Sequence, residues 1–319
     1  MDLPRLWVGI DLIGTRLHGE LVVHSADGQR VARRLRRVAP KLGYDHSGEA
    51  LFRGVVADVM NGPQIDHART EAGIECRTHW ITAADGTAVA LLVWLAPPPV
   101  TSRPIYNSWI MDLRKLATSP DGDDLELYGV KRAVGEYKPI MGVFRNLNPD
   151  DAPGWTALVH DAGHKREGVT VDAVWSIRPD NDWVHFWSST TNLGAPQPGR
   201  SVYGLTVQLP HRDLDTRLGT LVRYTNASLI MVDVHSRYVV AGSGDLADAL
   251  LTDEPRLARV LTQIDLNRLI AAPTNDVVEQ TISIEGSLFQ AALFAMPAGP
   301  VQPGSLIAIL LVPAPGRAQ

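Results

Sequence analysis

A chain of 319 residues is long enough for two or three domains. Apolar residues make up 45% of it and charged residues 20%, which is an ordinary globular composition with enough apolar mass for buried cores. The net charge of −5 gives no indication of a nucleic-acid partner, and the single cysteine, Cys76, excludes an internal disulfide framework and favours a reducing compartment.

The N-terminus and the apolar runs predict a cytoplasmic protein. Residues 1–5 carry charge and a proline where a secretory signal would build an apolar run. The longest apolar runs, 89–96 and 306–312, are under ten residues, whereas a bilayer span needs about twenty. We therefore expect no membrane contact.

Three elements are predicted in the first part of the chain. Residues 21–24 are typical of a short strand, and a turn follows at Asp27-Gly28. A helix is predicted by apolar residues at positions i, i+4 and i+7, namely Val31, Leu35 and Val38. Residues 74–82 and 87–95 then form a predicted hairpin around Gly86, which can take the positive φ that such a turn demands.

The central part of the chain predicts a longer hairpin. Its strands are residues 169–178 and 183–190. Apolar residues alternate along both strands, so one face can cover a core while the other meets solvent or a partner.

The last part of the chain predicts helices alternating with strands. A helix capped by Asp213 carries an apolar stripe, and a second helix follows Pro255. The predicted strands of this part are residues 228–233, 238–241, 278–285, 289–295 and 306–312. Helices packed on one face of an antiparallel sheet suit this order.

Two breaks rich in proline and glycine divide these parts. The first is the run Pro97-Pro98-Pro99 and the second is residues 194–199. The predicted domains and their connections are residues 1–99, a linker at 100–106, residues 107–193, a linker at 194–203, residues 204–313 and a tail at 314–319.

The stretch from Asn107 to Leu193 resembles a PAS domain, a small module that senses a ligand or passes on a signal. The resemblance rests on the order of several motifs. They are the strand Trp109-Ile110-Met111-Asp112-Leu113, the short helical segment 125–128, Pro149-Asp150-Asp151 before a helix with Trp155, and a long hairpin with Arg178, Asp180 and Trp183 near its turn. The last part of the chain is similar to a PAS or GAF module, and the first could be a degenerate copy.

The resemblance implies an α+β fold of tandem PAS/GAF-like modules, each an antiparallel sheet flanked by helices. It also implies which cofactors to test. Light-sensing members hold flavin through a cysteine, which the central stretch lacks, and haem-binding members use a histidine near the position of His160 and His164. The cofactor stays unknown. If the central module has a pocket, its expected ligand-binding residues are Phe144, Trp155, Trp175 and Phe186.

Each of three other patterns has a functional interpretation and a purely structural one. His160 and His164 lie one helical turn apart, as metal ligands do, but no third ligand is evident, so we expect solvated residues at a helix end and no metal. Gly242-Ser243-Gly244 resembles a nucleophile elbow only in composition. A cluster of arginines could bind phosphate or an acidic partner, or could form the solvent-exposed face of a helix. Its members are Arg30, Arg33, Arg34, Arg36 and Arg37.

The sequence therefore predicts a non-enzymatic cytoplasmic sensor or regulatory adaptor without catalytic residues. Its expected partners are a small-molecule ligand and a second copy of the chain or a signalling protein, with no nucleic acid and no membrane. One alternative is a purely structural dimerisation or scaffold protein. Another is an unrecognised enzyme that uses the region of His160 and His164 or a cleft between the predicted domains. Several titratable groups with strongly shifted pKa values in one cleft would support it.

Overall fold

The computed structural model describes most of the chain. The described residues are 3–113, 115, 117–123, 125, 133–140, 146–164, 167–179, 182–191, 201–213, 217–223, 225–234, 237–266, 277–296 and 306–314. Among them, no helix combines the length and the apolar character that crossing a bilayer requires.

Strands dominate the described part of the chain. They are β1 (Trp7–Asp11), β2 (Val22–Ala26), β3 (Gln29–Arg34), β4 (His67–Glu71), β5 (Ile74–Thr82), β6 (Ala88–Ala96), β7 (Tyr106–Asp112), β8 (Ala117–Gly122), β9 (Lys138–Pro139), β10 (Thr170–Ile177), β11 (Val184–Thr191), β12 (Ser201–Leu209), β13 (Ser228–Asp233), β14 (Tyr238–Ser243), β15 (Val277–Ile284), β16 (Ser287–Met296) and β17 (Leu306–Pro313). The α-helices are Leu12–His18, Leu35–Val38, His46–Asn61, Ala152–His164, Arg217–Arg223, Asp245–Thr252 and Glu254–Thr262, and the 3₁₀ helices are Ala39–Leu42 and Pro149–Asp151.

The strands form three sheets. The first has six strands in the order β3-β2-β1-β6-β5-β4, the second six in the order β10-β11-β12-β7-β8-β9, and the third five in the order β14-β13-β17-β16-β15. The central strands are the most apolar ones. All nine residues of β6 are buried, and β6 pairs antiparallel with β1 and β5, as expected of a continuous apolar run.

The residues group into two compact units. The first takes its residues from Met1–Pro139, Asp161–Asp172 and His185–Arg212, and the second from Ile140–His160, Ala173–Val184 and Asp213–Gln319. These units reflect spatial compactness alone, and the domain limits proposed from the two breaks stay a prediction.

Each unit has its own hydrophobic core. In the first unit, the helix His46–Asn61 is capped by the Asp45 carboxylate, which accepts a hydrogen bond from the Gly48 N–H at 2.6 Å. This helix buries Phe52 completely in a cluster with apolar residues of β1, β2 and β6, where such a side chain contributes about 1.5–3 kcal/mol. In the second unit, the helices Asp245–Thr252 and Glu254–Thr262 bury their apolar faces against β13, β15, β16 and β17.

The predicted fold class is wrong. Instead of tandem PAS/GAF-like modules with helix-flanked sheets, the described residues form three large antiparallel sheets with few helices. The alternation of apolar residues predicts strands one at a time, but it does not say which strands pair. The strand β12 follows the second break in the sequence, yet it pairs with both β7 and β11. The second sheet therefore includes a strand from beyond the end of the predicted central module.

Several local predictions are confirmed and one is wrong. The hairpin of β5 and β6 has Gly86 at φ +85° in its turn, and the central hairpin strands are β10 and β11. The helix predicted from Val31 begins only at Leu35, because residues 29–34 form β3. The tight turn at Asp27-Gly28 folds this segment back to pair with β2.

Candidate ligand-binding site

The second unit contains a cleft of about 450 Å³. Several separate segments of the chain line it. Among them are the corner at 146–149, which ends in the first residue of the 3₁₀ helix, the residues Arg178 and Trp183, and the ends of β13 and β14 with the start of the helix Asp245–Thr252. Residues of the helix Arg217–Arg223, of β16 and of β17 also line it. The cleft therefore collects side chains that are distant in sequence.

Gly244 allows β14 to turn directly into the helix at the cleft. Its φ is +99°, and an added Cβ would lie 2.7 Å from the Ala227 carbonyl oxygen. The Ser228 hydroxyl accepts a hydrogen bond from the Leu246 N–H at 3.1 Å, so a side chain of β13 takes over the capping that Gly244 cannot provide. This close approach brings Ser228 and the half-buried Ser243 to the wall of the cleft.

The opposite wall is fixed by the buried carboxylate of Asp151. This group is 5% exposed, and it accepts a hydrogen bond from the Ser176 N–H at 2.9 Å. The Asn148 N–H donates to the Ser176 carbonyl at 2.9 Å, and the Arg178 N–H donates to the Asn146 carbonyl at 3.1 Å. The corner and the end of β10 are thus joined by both backbone and side-chain hydrogen bonds, which holds Arg178 at the cleft.

Arg178 and Trp183 give the cleft its recognition chemistry. The guanidinium carbon of Arg178 lies 5.9 Å from the centroid of the Trp183 ring, within range of a cation–π contact. A guanidinium presents several N–H donors in a plane, and an indole ring presents a flat apolar surface. Together with the hydroxyls of Ser228 and Ser243, they can bind a small molecule that has both a flat part and hydrogen-bonding groups.

The described residues among those predicted as ligand-binding do not line the cleft, and whether they bind a ligand stays a prediction. Phe144 is outside the described residues. Trp155 and Trp175 are both buried in the second unit and pack edge to face, with ring centroids 5.3 Å apart and an interplanar angle of 70°. Phe186 is fully buried and belongs to the first unit. Of the three that the structure describes, Trp155 and Trp175 lie together, and neither lines the cleft.

Part of the cleft stands out in the sequence for other reasons. Arg178 and Trp183 lie near the predicted turn of the central hairpin, and Ser243 belongs to a glycine-rich motif. Ser228 and the start of the helix Asp245–Thr252 were not predicted as part of a site. The signal for the helix was present, because β14 ends in Gly-Ser-Gly and an amphipathic helix with acidic residues in its first turn follows. The hairpin predicted from residues 228–233 and 238–241 is confirmed, and its pairing of Leu229 with Ser243 places Ser228 beside that turn.

The first unit contains a buried polar network centred on His24. The Nδ1 atom of His24 lies 2.8 Å from the Tyr106 hydroxyl, and its Nε2 atom lies 2.9 Å from the Ser189 hydroxyl. The Trp187 ring stacks on the imidazole at a centroid distance of 4.2 Å, and the Tyr106 hydroxyl also bonds the hydroxyl of Ser25. Burial lowers the pKa of His24 to about 3, so the ring is neutral, with one nitrogen donating and the other accepting.

Two other buried titratable groups of the first unit, Asp11 and Tyr106, have hydrogen-bond partners. The Asp11 carboxylate caps the helix Leu12–His18 through the Gly14 N–H at 2.9 Å and accepts from the Thr191 hydroxyl at 3.1 Å. Burial raises the pKa of Asp11 and that of the Tyr106 hydroxyl. Burial also raises the pKa of the Tyr44 hydroxyl, which has no hydrogen-bond partner among the residues that the structure describes.

His160, Cys76 and the clustered arginines of the sequence do not line the cleft of the second unit. His160 lies on the helix Ala152–His164, and the side chain of His164 is outside the described part. Within the residues that the structure describes, no three or more acidic, histidine or cysteine side chains are grouped to hold a metal. Cys76 is a buried free thiol on β5, and burial raises its pKa. The arginines predicted on a helical face lie instead on β3 and on the short helix after it.

Comparison with known proteins identifies the fold but no family. No family model matches the chain, and no curated protein matches it. The crystal structure of an uncharacterized protein from Mycobacterium tuberculosis is similar over 97% of this chain and 93% of that chain, at 13% identity and a TM-score of 0.59. At this identity the likeness shows a shared fold alone. The structure of an RNA-binding light-oxygen-voltage receptor covers 65% of this chain and 95% of that chain, at 11% identity and a TM-score of 0.26, which is too low to carry an argument.

Proposed function

We propose that this protein is a non-enzymatic sensor or regulatory adaptor that binds a small molecule in the cleft of its second unit. The observation that carries the proposal is the cleft of about 450 Å³ lined by Arg178, Trp183 and the two serines. Pockets for small molecules typically measure about 300–1,000 Å³ and combine apolar surface with a few polar groups. The volume of the cleft lies in this range, and its lining combines the Trp183 ring with a larger share of polar groups.

The chemistry of the lining favours binding over catalysis. The shifted pKa values described above belong to groups of the first unit such as His24, Asp11 and Tyr106, whose side chains are already hydrogen-bonded to their neighbours. General acid–base catalysis needs titratable groups tuned at the site of reaction. The guanidinium, indole and hydroxyl groups of the cleft instead suit recognition of a polar, partly flat ligand.

A signal can arise because the ligand would contact elements that belong to different parts of the chain. Arg178 and Trp183 flank the turn between β10 and β11, whereas Ser243 precedes the helix Asp245–Thr252. A ligand that bridges them stabilises one arrangement of turn and helix over others and so shifts the population. We place the protein in the cytoplasm, with a second copy of the chain or a signalling protein as the partner that reads this shift.

Native mass spectrometry of freshly purified protein tests the proposal. We expect a small molecule to be retained by the wild type and lost from the variant Ser243→Phe, whose ring would occupy the cleft. The matched control is Ser287→Phe, because Ser287 is exposed at the start of β16 and does not line the cleft. Circular dichroism would verify that both variants fold.

Two outcomes would overturn the proposal. One is a wild-type protein that is purified bare as a stable dimer, which would favour a purely structural association role. The other is equal retention of the molecule by Ser243→Phe and Ser287→Phe, which would place the ligand outside the cleft.

A further inference from the structure

An arginine-lined cleft in the first unit is separate from the site proposed above. It measures about 650 Å³ and lies along β3, which is an edge strand of the first sheet. Its charged and titratable lining groups are Arg30, Arg33, Arg34, Arg37 and His18, and no acidic residue lines it among the described residues. A concave surface with four guanidinium groups and no lining carboxylate concentrates positive potential.

Two of the four arginines have carboxylate partners outside the lining. Arg30 forms an ion pair with Asp172 at 2.8 Å, and Arg34 forms one at 2.6 Å with Glu20, which also pairs with Arg36 at 3.1 Å. Arg33 and Arg37 have no carboxylate partner among the residues that the structure describes. Two positive charges therefore remain for a ligand, and the paired arginines hold the cleft in shape around them.

The backbone of β3 is distorted at this place. Ala32 has φ +47°, a left-handed conformation that costs an alanine roughly 1–2 kcal/mol, and the pairing of β2 with β3 shifts register between Val23 and Ser25. In a regular strand the neighbours Arg33 and Arg34 would point to opposite faces, yet both line this cleft. Bulges re-aim side chains in this way, and a strained residue that persists points to function.

We propose that this cleft binds a small phosphorylated compound through its phosphate group. A phosphate monoester carries about −1.5 to −2 charges at neutral pH, which matches the two unpaired arginines. Guanidinium groups bind phosphate oxygens through paired N–H donors, and Arg33 and Arg37 supply two such forks. A concave cleft of this size can hold a small ligand, whereas a nucleic acid would need a longer basic face than a chain of net charge −5 provides.

Isothermal titration calorimetry with inorganic pyrophosphate as the probe tests the proposal. We expect binding by the wild type that weakens with added salt. The variant Arg33→Ala/Arg37→Ala should bind roughly tenfold more weakly or worse, because charge-assisted hydrogen bonds to phosphate are lost. The control Arg16→Ala/Arg259→Ala removes the same charge at two exposed positions outside the cleft and should keep the wild-type affinity.

A second variant separates the guanidinium fork from its charge. Arg33→Lys/Arg37→Lys keeps the net charge and should bind the probe more weakly than the wild type but better than the double alanine variant. Three results would overturn the proposal. They are the absence of pyrophosphate binding to wild-type protein at millimolar concentration, equal weakening in the cleft and control variants, and tighter binding of a duplex RNA than of pyrophosphate.

Discussion

Replacement of His24 by glutamine should change how the stability of the first unit depends on pH. His24 is 2% exposed, both of its ring nitrogens contact hydroxyls, and burial lowers its pKa to about 3 from the usual 6.5. Between these pH values the unfolded chain binds a proton at His24 that the folded chain does not. The wild type is therefore fully stable with respect to this group above about pH 6.5, and it loses stability as the pH falls.

The size of the effect follows from the two pKa values. At pH 5.0 the unfolded chain lies 1.5 pH units below the ordinary histidine pKa, and each unit corresponds to about 1.4 kcal/mol. From pH 7.5 to pH 5.0, His24 should therefore cost the wild type about 2 kcal/mol of unfolding free energy. Asp11 acts in the opposite direction, because a raised carboxyl pKa favours the folded state at low pH. Both the wild type and the His24→Gln variant contain Asp11, so its contribution cancels when their unfolding free energies are subtracted.

Equilibrium urea unfolding at several pH values provides the measurement. The stability advantage of the wild type over His24→Gln should shrink by about 2 kcal/mol between pH 7.5 and 5.0. The control His46→Gln replaces an exposed histidine and should leave the difference from wild type constant. A constant difference for His24→Gln, or a His24 resonance that titrates near pH 6 in NMR spectra of the folded protein, would refute the reasoning.

Three further predictions use unfolding free energies. Gly244→Ala should destabilise the protein by about 1–3 kcal/mol because of the positive φ and the close Ala227 carbonyl, whereas Gly54→Ala, inside a helix with open space around it, should be neutral or stabilising by up to about 1 kcal/mol. Equal effects would contradict the assigned backbone. Asp151→Ala should cost about 1–3 kcal/mol because the buried Ser176 N–H loses an acceptor, and an unchanged urea midpoint would count against that hydrogen bond. Because burial raises the pKa of Asp11, ionisation of this group should cost the wild type stability as the pH rises above about 3.8. Asp11→Asn cannot ionise but can still cap the helix, so it should not show this loss. Parallel curves of stability against pH for the two proteins would argue against a buried carboxyl.

Local structure was the part of the fold that could be predicted. The hairpin at Gly86 and the central hairpin follow from alternating apolar residues around turn residues, which act within a few positions of each other. The helix His46–Asn61 was missed although its signals are present, namely the cap Asp45 and apolar residues at helical spacing from Phe52 to Val59. The strand β3 was mistaken for a helix because three apolar positions matched the wrong period.

Pairing over long distances was the part that could not be predicted. Nothing local to β12 indicates that it lies between β7 and β11, and nothing in β17 indicates a place between β13 and β16. The same limit applies to the cleft. Arg178 and Trp183 stood out in the sequence, but Ser228 and Ser243 join them only through the order of the third sheet and the turn at Gly244.

The pairing of β12 with β7 has a consequence for synthesis on the ribosome. The strand β7 emerges early, but one of its two neighbours in the sheet follows only after the whole segment between Asp112 and Ser201 has been made. Until then, β7 exposes an unsatisfied edge that can pair with other nascent chains. A fragment that stops at residue 193 would keep that open edge permanently, so we expect it to aggregate where the full-length chain does not.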